Sequence, residues 1–118
     1  MGCVNGFVIA VPTANKDAYR AHAAKAAELF KDCGAVEIME AWGTDVPDDK
    51  VTDFKRAVQA RDDETVVFSW IVWSDKATAD ACEKKMHEDE RMQAMMDMPF
   101  DGKRMVFGGF TPIFELGR

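Results

Sequence analysis

The sequence is poor in the residues that most often build metal and redox sites. Its 118 residues include two histidines and three cysteines, and Cys3, Cys33 and Cys82 form no CxxC pair. An odd number of widely spaced cysteines is typical of free thiols in a reducing compartment. Because neither the histidines nor the cysteines have the spacing of metal ligands, we expect no metal and no cofactor.

The motifs of the common enzyme classes are also missing. The chain has no nucleophile elbow, Walker loop, dinucleotide fingerprint or zinc-ligand pattern. Several aspartates between positions 45 and 53 suggest a calcium loop, but the EF-hand spacing and its terminal glutamate are absent, which favours a solvated acidic loop. Any catalysis therefore has to use residues scattered along the chain.

Positive charge is scarce and dispersed. Lys and Arg number 15 against 21 Asp and Glu, which gives a net charge of −6, and they form no basic stripe. This balance argues against a nucleic-acid partner, which requires a basic surface. No apolar run reaches membrane-spanning length, and no basic segment precedes a long apolar one at the N-terminus. We therefore expect a soluble cytoplasmic protein with no membrane partner.

Residues 65–73 (TVVFSWIVW) are the clearest strand in the chain. They carry no charge, and most are β-branched or aromatic. Successive side chains of a strand point to opposite faces, so an uncharged strand needs cover on both faces. Helices of the same chain can cover one face of the sheet. So short a chain has few residues left to cover the other face, so we expect a partner to cover it.

The remaining segments complete one α+β domain over residues 1–118. The order strand, helix, strand, strand, helix, strand predicts a ferredoxin-like sandwich with both helices on one face of an antiparallel sheet. Face-to-face pairing of two such sheets gives a homodimeric α+β barrel. The segment 54–60 suits either a strand or a helix, and we prefer a strand. On that reading 35–42 and 54–60 are two parts of one edge strand, interrupted by the loop between them. The predicted elements are strands at 4–11, 35–42, 54–60, 65–73 and 104–114, helices at about 16–32 and 75–88, and a methionine-rich turn at 91–98 that fills gaps over the sheet.

Local residues also predict the helix ends. Asn15 is a plausible N-cap of the first helix, whose apolar stripe includes Tyr19, and Gly34 is its terminator. Ser74 or Asp75 caps the second helix. Gly108-Gly109 within the last strand indicates a bulge or a close backbone approach.

Several motifs resemble one bacterial family of unknown function, the YbaA-like family. They are NGFVIAVP, NKDAYR, WGTDVPDDKVTDFKRAV, VVFSWIVW and MPFDGKRMVFGGF, and they span nearly the whole chain. The resemblance implies a dimeric α+β-barrel fold and a homodimer, and it implies no established activity. The chain departs from the family pattern at Val72, Glu90 and Phe107, where an acidic residue, a proline and a tyrosine are common.

Five residues are candidates for a pocket. Glu40 shares a strand face with Val36, Ile38 and Trp42, and we expect that face to turn toward the barrel. A desolvated carboxylate has a raised pKa, unless Arg104 or another base lies close and lowers it. The alternative is a strand-end glutamate in an ion pair at the rim. The other four candidates are Trp42, His22, Trp70 and Arg104.

Each of these other candidates also has a structural alternative. His22 lies at the edge of an apolar helix stripe, where a packed histidine is more common than a catalyst. The indoles of Trp42 and Trp70 can stack on a flat ligand, but core or dimer contacts are the more common role. Arg104, with Lys103, can grip an anion or can sit in a plain solvated turn.

Two functional hypotheses follow from these residues. The first is a homodimer whose barrel binds or transforms a small, partly aromatic ligand without a cofactor, which rests on analogy between folds. The second is a non-catalytic structural or interaction protein whose barrel is filled by side chains. A pocket beside Glu40 favours the first and a packed interior the second. RNA binding is the least supported.

Overall fold

A computed structural model describes residues 2–90 and 98–117. Its helices and strands follow the predicted order, except that a short helix lies in the segment 54–60 where a strand was expected. Two short 3-10 turns, Thr13–Asn15 and Gly102–Arg104, lie between them. In chain order the elements are β1 (Cys3–Pro12), α1 (Lys16–Asp32), β2 (Ala35–Trp42), α2 (Phe54–Ala57), β3 (Glu64–Trp73), α3 (Lys76–Glu88) and β4 (Val106–Phe110).

The four strands form one antiparallel sheet in the order β2-β3-β1-β4. The uncharged strand β3 lies in the interior of the sheet, where it pairs with β1 without interruption from Cys3↔Trp73 to Pro12↔Glu64. Antiparallel pairing with a β-α-β-β-α-β order, in which α2 sits within the connection after β2, confirms the predicted ferredoxin-like α+β class.

One face of the sheet is covered by α1 and α3, and we call it the helix face. Alternate residues of the central strands, such as Ile9, Val67 and Ile71, point toward the helices and are buried. Tyr19 of α1 and Cys82 of α3 are the buried helix residues that meet them. Fully burying a large aliphatic side chain stabilises a fold by about 1.5–3 kcal/mol, so this face holds most of the core.

Nearby residues determine the start of α3 and the end of α1, but not the start of α1. The Asp75 carboxylate accepts from the backbone N–H of Thr78 and caps α3, as predicted. Gly34 ends α1 with a φ of 108°, in the left-handed region that glycine tolerates. Asn15 precedes α1 but its side chain makes no cap. Its amide instead donates to the Pro99 carbonyl at 3.1 Å, which ties the start of α1 to a distant segment.

The opposite face of the sheet, which we call the open face, is covered only in part. The connection between β2 and β3 folds over one end of it, where Val58, 1% exposed, packs against Ala10 and Val66. Elsewhere this face leaves large apolar side chains in solvent. They are Met39, Phe68, Val106 and Phe110.

The predicted strand at 54–60 is wrong, because this segment contains the short helix α2. The Asp53 carboxylate accepts from the backbone N–H of Arg56 at 2.8 Å and starts a helical turn. In addition, β3 already has β2 on one edge and β1 on the other, so no edge of β3 remains for another strand.

The last strand is shorter than the predicted 104–114. Arg104 belongs to a 3-10 turn, and β4 covers only Val106–Phe110. Of the two alternatives for Gly108-Gly109, a bulge or a close backbone approach, the bulge is absent, because β4 pairs with β1 in continuous register. A close approach does occur nearby, since a Cβ on Gly6 would lie 3.3 Å from the Phe110 ring. Of the predicted methionine-rich turn, residues 91–97 lie outside the described residues.

Candidate functional site

Glu40 points to the helix face, opposite to the face we expected. Its strand, β2, has a register shift between Ala35 and Glu37. A shift of one residue moves every later side chain of a strand to the other face. Ala35 therefore packs with the helices, and so do Ile38 and Trp42. The irregularity cannot be read from the residues of β2, and it turns Glu40 toward α1 rather than toward a barrel interior.

Two side chains from neighbouring elements hold the Glu40 carboxylate. The hydroxyl of Tyr19, in the first turns of α1, donates to Glu40 Oε1 at 2.6 Å. The hydroxyl of Ser69, on the adjacent strand β3, also hydrogen-bonds to this carboxylate. Tyr19 and Ser69 are buried, so one carboxylate joins α1, β2 and β3 through three side chains.

Burial raises the pKa of Glu40 above its usual value, and the hydrogen bonds from Tyr19 and Ser69 partly oppose that effect. The charge of His22, one turn along α1 from Tyr19, also favours the ionised form. The pKa of Tyr19 is raised in turn by burial and by the adjacent carboxylate. Since β2 is an edge strand, Glu40 stays open to solvent along the sheet margin while its carboxylate is partly buried.

Aromatic rings flank this pair. Trp42 lies two residues further along β2 on the same face, and the Lys16 ammonium sits 5.4 Å from the centroid of its ring. The ring of Phe100 lies 5.7 Å from that of Tyr19, at an interplanar angle of 55°. We call Tyr19, Glu40, Trp42 and Phe100, with Lys16 and His22 beside them, the Glu40 site.

The structure brings together three of the five predicted site residues and separates two. His22 and Trp42 lie with Glu40. Trp70 is on the open face, where its indole N–H donates to Glu37 at 2.8 Å. Arg104 contributes to a different cluster. The residues that sequence reasoning missed are Tyr19, Ser69, Lys16 and Phe100, and only Tyr19 was visible in the sequence, as part of the apolar stripe of α1.

Arg104 is held in an ion pair rather than presented to an anion. Its guanidinium donates to both carboxylate oxygens of Glu64, at 2.7 and 2.6 Å, and to Asp101 at 3.0 Å. The Gln59 carbonyl accepts a further bond at 2.8 Å. The hydrogen bonds from Arg104 lower the pKa of Glu64 to about 2. Arg104 therefore fastens the segment before β4 to the start of β3.

Over 2–90 and 98–117, no group of three or more His, Cys, Asp or Glu side chains is arranged to hold a metal ion. In the same part of the chain, none of the helices combines the length and the apolarity that crossing a membrane requires.

The sheet order and the helix-covered face define a ferredoxin-like α+β protein, and a solved structure supports this class. A dimeric ferredoxin-like protein from an uncultured marine organism superposes with a TM-score of 0.58 over 98% of this chain and 100% of its own, at 10% identity. That likeness concerns the fold alone.

The family is defined more closely by sequence. Residues 3–102 match the family model described as DUF1428, protein of unknown function. The chain is 56% identical to the uncharacterized protein YbaA of Escherichia coli K12 over 98% of its length and 99% of the relative's, and the YbaA of Shigella flexneri matches equally. The chain belongs to this family, which confirms the resemblance noted from its motifs.

Proposed function

We propose that this protein is a homodimer whose subunits each bind a small, partly aromatic molecule at the Glu40 site and exchange a proton with it through Glu40. The observation that carries the proposal is a weakly acidic carboxylate at an accessible sheet edge, held by the Tyr19 hydroxyl at 2.6 Å. Perturbed carboxyl groups between aromatic walls are a frequent sign of a functional site.

The environment of Glu40 suits proton transfer. A raised pKa brings a carboxyl group closer to neutral pH, where one group can both accept and return a proton. The hydrogen bonds from Tyr19 and Ser69 fix the orientation of the carboxylate, so it needs little reorganisation when a substrate arrives. This chemistry requires no cofactor.

The surroundings of Glu40 favour a flat ligand of modest size. Phe100 contacts the Tyr19 ring, and Trp42 packs against the same cluster as Tyr19. Aromatic rings such as these stack on planar molecules. The Lys16 ammonium above Trp42 adds a positive charge next to the ring. A phenol or a similar weakly acidic ring compound matches this combination, because it can donate a proton to Glu40.

The open face supports the homodimer. Met39, Phe68, Val106 and Phe110 are exposed apolar residues on the same face of the sheet, and such surfaces often mark interaction sites. The solved structural neighbour is itself described as dimeric. Pairing through the open face leaves the Glu40 site on the helix face accessible in both subunits. A cytoplasmic location, favoured by the free thiols of the described residues, stays a prediction.

Ligand-observed NMR with phenol, indole and benzoate tests the ligand part of the proposal. We expect saturation transfer to phenol with the wild type and its loss with Glu40→Gln, which keeps the shape and removes the proton acceptor. Glu37→Gln is the matched control, because Glu37 lies on the same strand but on the open face and its amide replacement can still accept from Trp70. Equal transfer in all three proteins, or none in any, contradicts the proposal.

A second function, that of a non-catalytic interaction protein, is favoured by one observation. Tyr19 and Ser69 both hydrogen-bond to Glu40, so the carboxylate can serve simply to join α1 to the sheet. In that case Glu40→Gln changes the melting temperature without changing the NMR signals of any probe.

A further inference from the structure

The three cysteines, which are far apart in the sequence, meet under the helices. Cys82 is buried beside Ile71 and Trp73, and both Cys3 and Cys33 pack against this group. The Cys33 thiol is close enough to Cys82 to contribute to the raised pKa of the Cys82 thiol. Cys3 is directed differently, since its thiol donates to the Asp75 carbonyl with a sulfur–oxygen distance of 3.7 Å.

We propose that Cys33 and Cys82 are an oxidation site, and that peroxide converts this pair into an intramolecular disulfide joining the end of α1 to α3. The site is separate from the Glu40 site and does not depend on the function proposed for it. The described cysteines are free thiols in the structure, so the structure represents the reduced form.

The segment that ends α1 lies against the first turn of α3. Gly34 follows Cys33 directly, and a Cβ at Gly34 would lie only 2.8 Å from the methyl group of Thr78 in the first turn of α3. The end of α1 is therefore in contact with α3 through backbone as well as side chains. A disulfide typically has its Cα atoms about 5.5–6 Å apart, and the packing of Cys33 against the cluster that contains Cys82, beside the contact of Gly34 with Thr78, brings the two cysteines into one neighbourhood.

The difference in exposure between the two thiols sets the order of reaction. Cys33, at the C-cap of α1, is half-buried and can be reached by a small oxidant, whereas Cys82 is buried. Burial and the neighbouring Cys33 thiol raise the pKa of Cys82 to about 12. A buried thiol of high pKa reacts slowly with oxidants from solution, so Cys33 is oxidised first and Cys82 resolves it.

The chemistry balances with hydrogen peroxide as the oxidant. The Cys33 sulfur attacks one peroxide oxygen, the O–O bond breaks, and a sulfenic acid and one water form. The Cys82 sulfur then attacks the sulfenic sulfur, the S–O bond breaks, and the departing hydroxide takes the Cys82 proton as a second water. Two thiols are oxidised to one disulfide, and peroxide is reduced to two waters. The proximity of the two thiols provides the high effective concentration that compensates for the low acidity of Cys82.

Peptide mapping of the full-length protein tests the proposal. The native protein is treated with hydrogen peroxide, the remaining thiols are alkylated under denaturing conditions, and trypsin is added without reductant. Because the three cysteines fall in different tryptic peptides, 1–16, 32–50 and 77–84, the linkage is unambiguous. We expect peptide 32–50 joined to 77–84, an alkylated peptide 1–16, and complete reversal by dithiothreitol.

Variants and a melting curve complete the test. Cys3→Ser should form the cross-link as the wild type does, and Cys33→Ser should form none. Closing a loop of this size should raise the melting temperature of the oxidised protein by about 5–15 °C. A cross-link that involves Cys3, a disulfide between two chains, or Cys33 oxidised to sulfinic acid without a cross-link overturns the proposal. None of these outcomes depends on whether phenol binds at Glu40.

Discussion

Glu40 and Glu64 lie on opposite faces of the same sheet, and their pKa values are shifted in opposite directions. Glu40, on the helix face, meets neutral hydroxyl donors, and burial is the largest influence on it, so its pKa rises. Glu64, on the open-face side, meets the guanidinium of Arg104, and its pKa falls to about 2. A carboxylate next to a cation is stabilised as an ion, whereas a desolvated one beside neutral donors is not.

The roles of these two carboxylates depend on their hydrogen-bond partners rather than on their positions in a strand. Glu64 and Arg104 keep only 4% and 13% of their side-chain surface exposed and exchange two parallel hydrogen bonds, which makes them a structural fastening. Glu40 lies on an edge strand that solvent can reach, and its raised pKa means that it takes up a proton more readily. It is therefore the better candidate for proton transfer. The two faces differ too, since α1 and α3 cover most of the helix face, whereas the open face exposes Met39, Phe68, Val106 and Phe110.

The strongest test of the two faces compares two phenylalanines of β4. Phe110 lies on the open face and Phe107 on the helix-facing side, and both are exposed, at 61% and 69%. We expect Phe110→Asp to weaken the proposed dimer by at least about 100-fold, because a charge replaces a large apolar contact of the open face. Sedimentation velocity at micromolar concentration measures this change. Phe107→Asp is the matched control, and an equal loss of dimer with Phe107→Asp contradicts the assignment of the interface.

A smaller effect is expected when the Glu64–Arg104 pair is broken. Glu64→Gln leaves the Arg104 guanidinium without its carboxylate, and we expect the melting temperature at pH 7 to fall by about 5–10 °C. Because the folded-state pKa of Glu64 is below its unfolded value of 4.5, its contribution is complete above that value and is lost as pH falls toward about 2.

Thermal melts of both proteins across this pH range check the expectation. The gap between wild type and Glu64→Gln should close as the pH is lowered from 4.5 to 2. Glu28→Gln, on the exposed side of α1, serves as control and should follow the wild type throughout. A gap that is independent of pH shows that the loss comes from packing rather than from the ion pair.

The smallest effect on stability is expected for Glu40→Gln. The pH dependence of the Glu40 contribution is opposite to that of Glu64. Because the pKa of Glu40 is higher in the folded state, the folded protein binds its proton more tightly, and stability falls as pH rises from about 4.5 through the folded-state value. Glu40→Gln removes this dependence. We expect a melting temperature within about 4 °C of wild type at pH 7, since the glutamine carbonyl still accepts from Tyr19.

Urea unfolding of wild type and Glu40→Gln between pH 4 and pH 8 measures this dependence. The free energy of unfolding of the variant should change less with pH than that of the wild type. A loss of about 3–5 kcal/mol in the variant would instead identify a buried ion pair, the alternative considered from the sequence, and would remove Glu40 as a proton-transfer residue.

Local patterns predicted much of this fold. The uncharged run at 65–73 is β3, the cap at Asp75 starts α3, and Gly34 ends α1. These predictions succeeded because each depends on residues that are adjacent in the chain. The prediction for segment 54–60 failed because its local pattern suits both a strand and a helix. The pairing of β3 with β2 and β1, which is not local, leaves no edge of β3 for another strand.

The Glu40 site shows where sequence reasoning ends. The sequence by itself determined that a single carboxylate interrupts the row of Ile38 and Trp42, and that a desolvated carboxylate there has a raised pKa. Only the tertiary structure decided which face this row occupies, because one register shift after Ala35 inverts the strand. It also decided that Tyr19, 21 positions away, donates to Glu40. Hydrogen-bond partners across elements depend on register and packing, which no local spacing specifies.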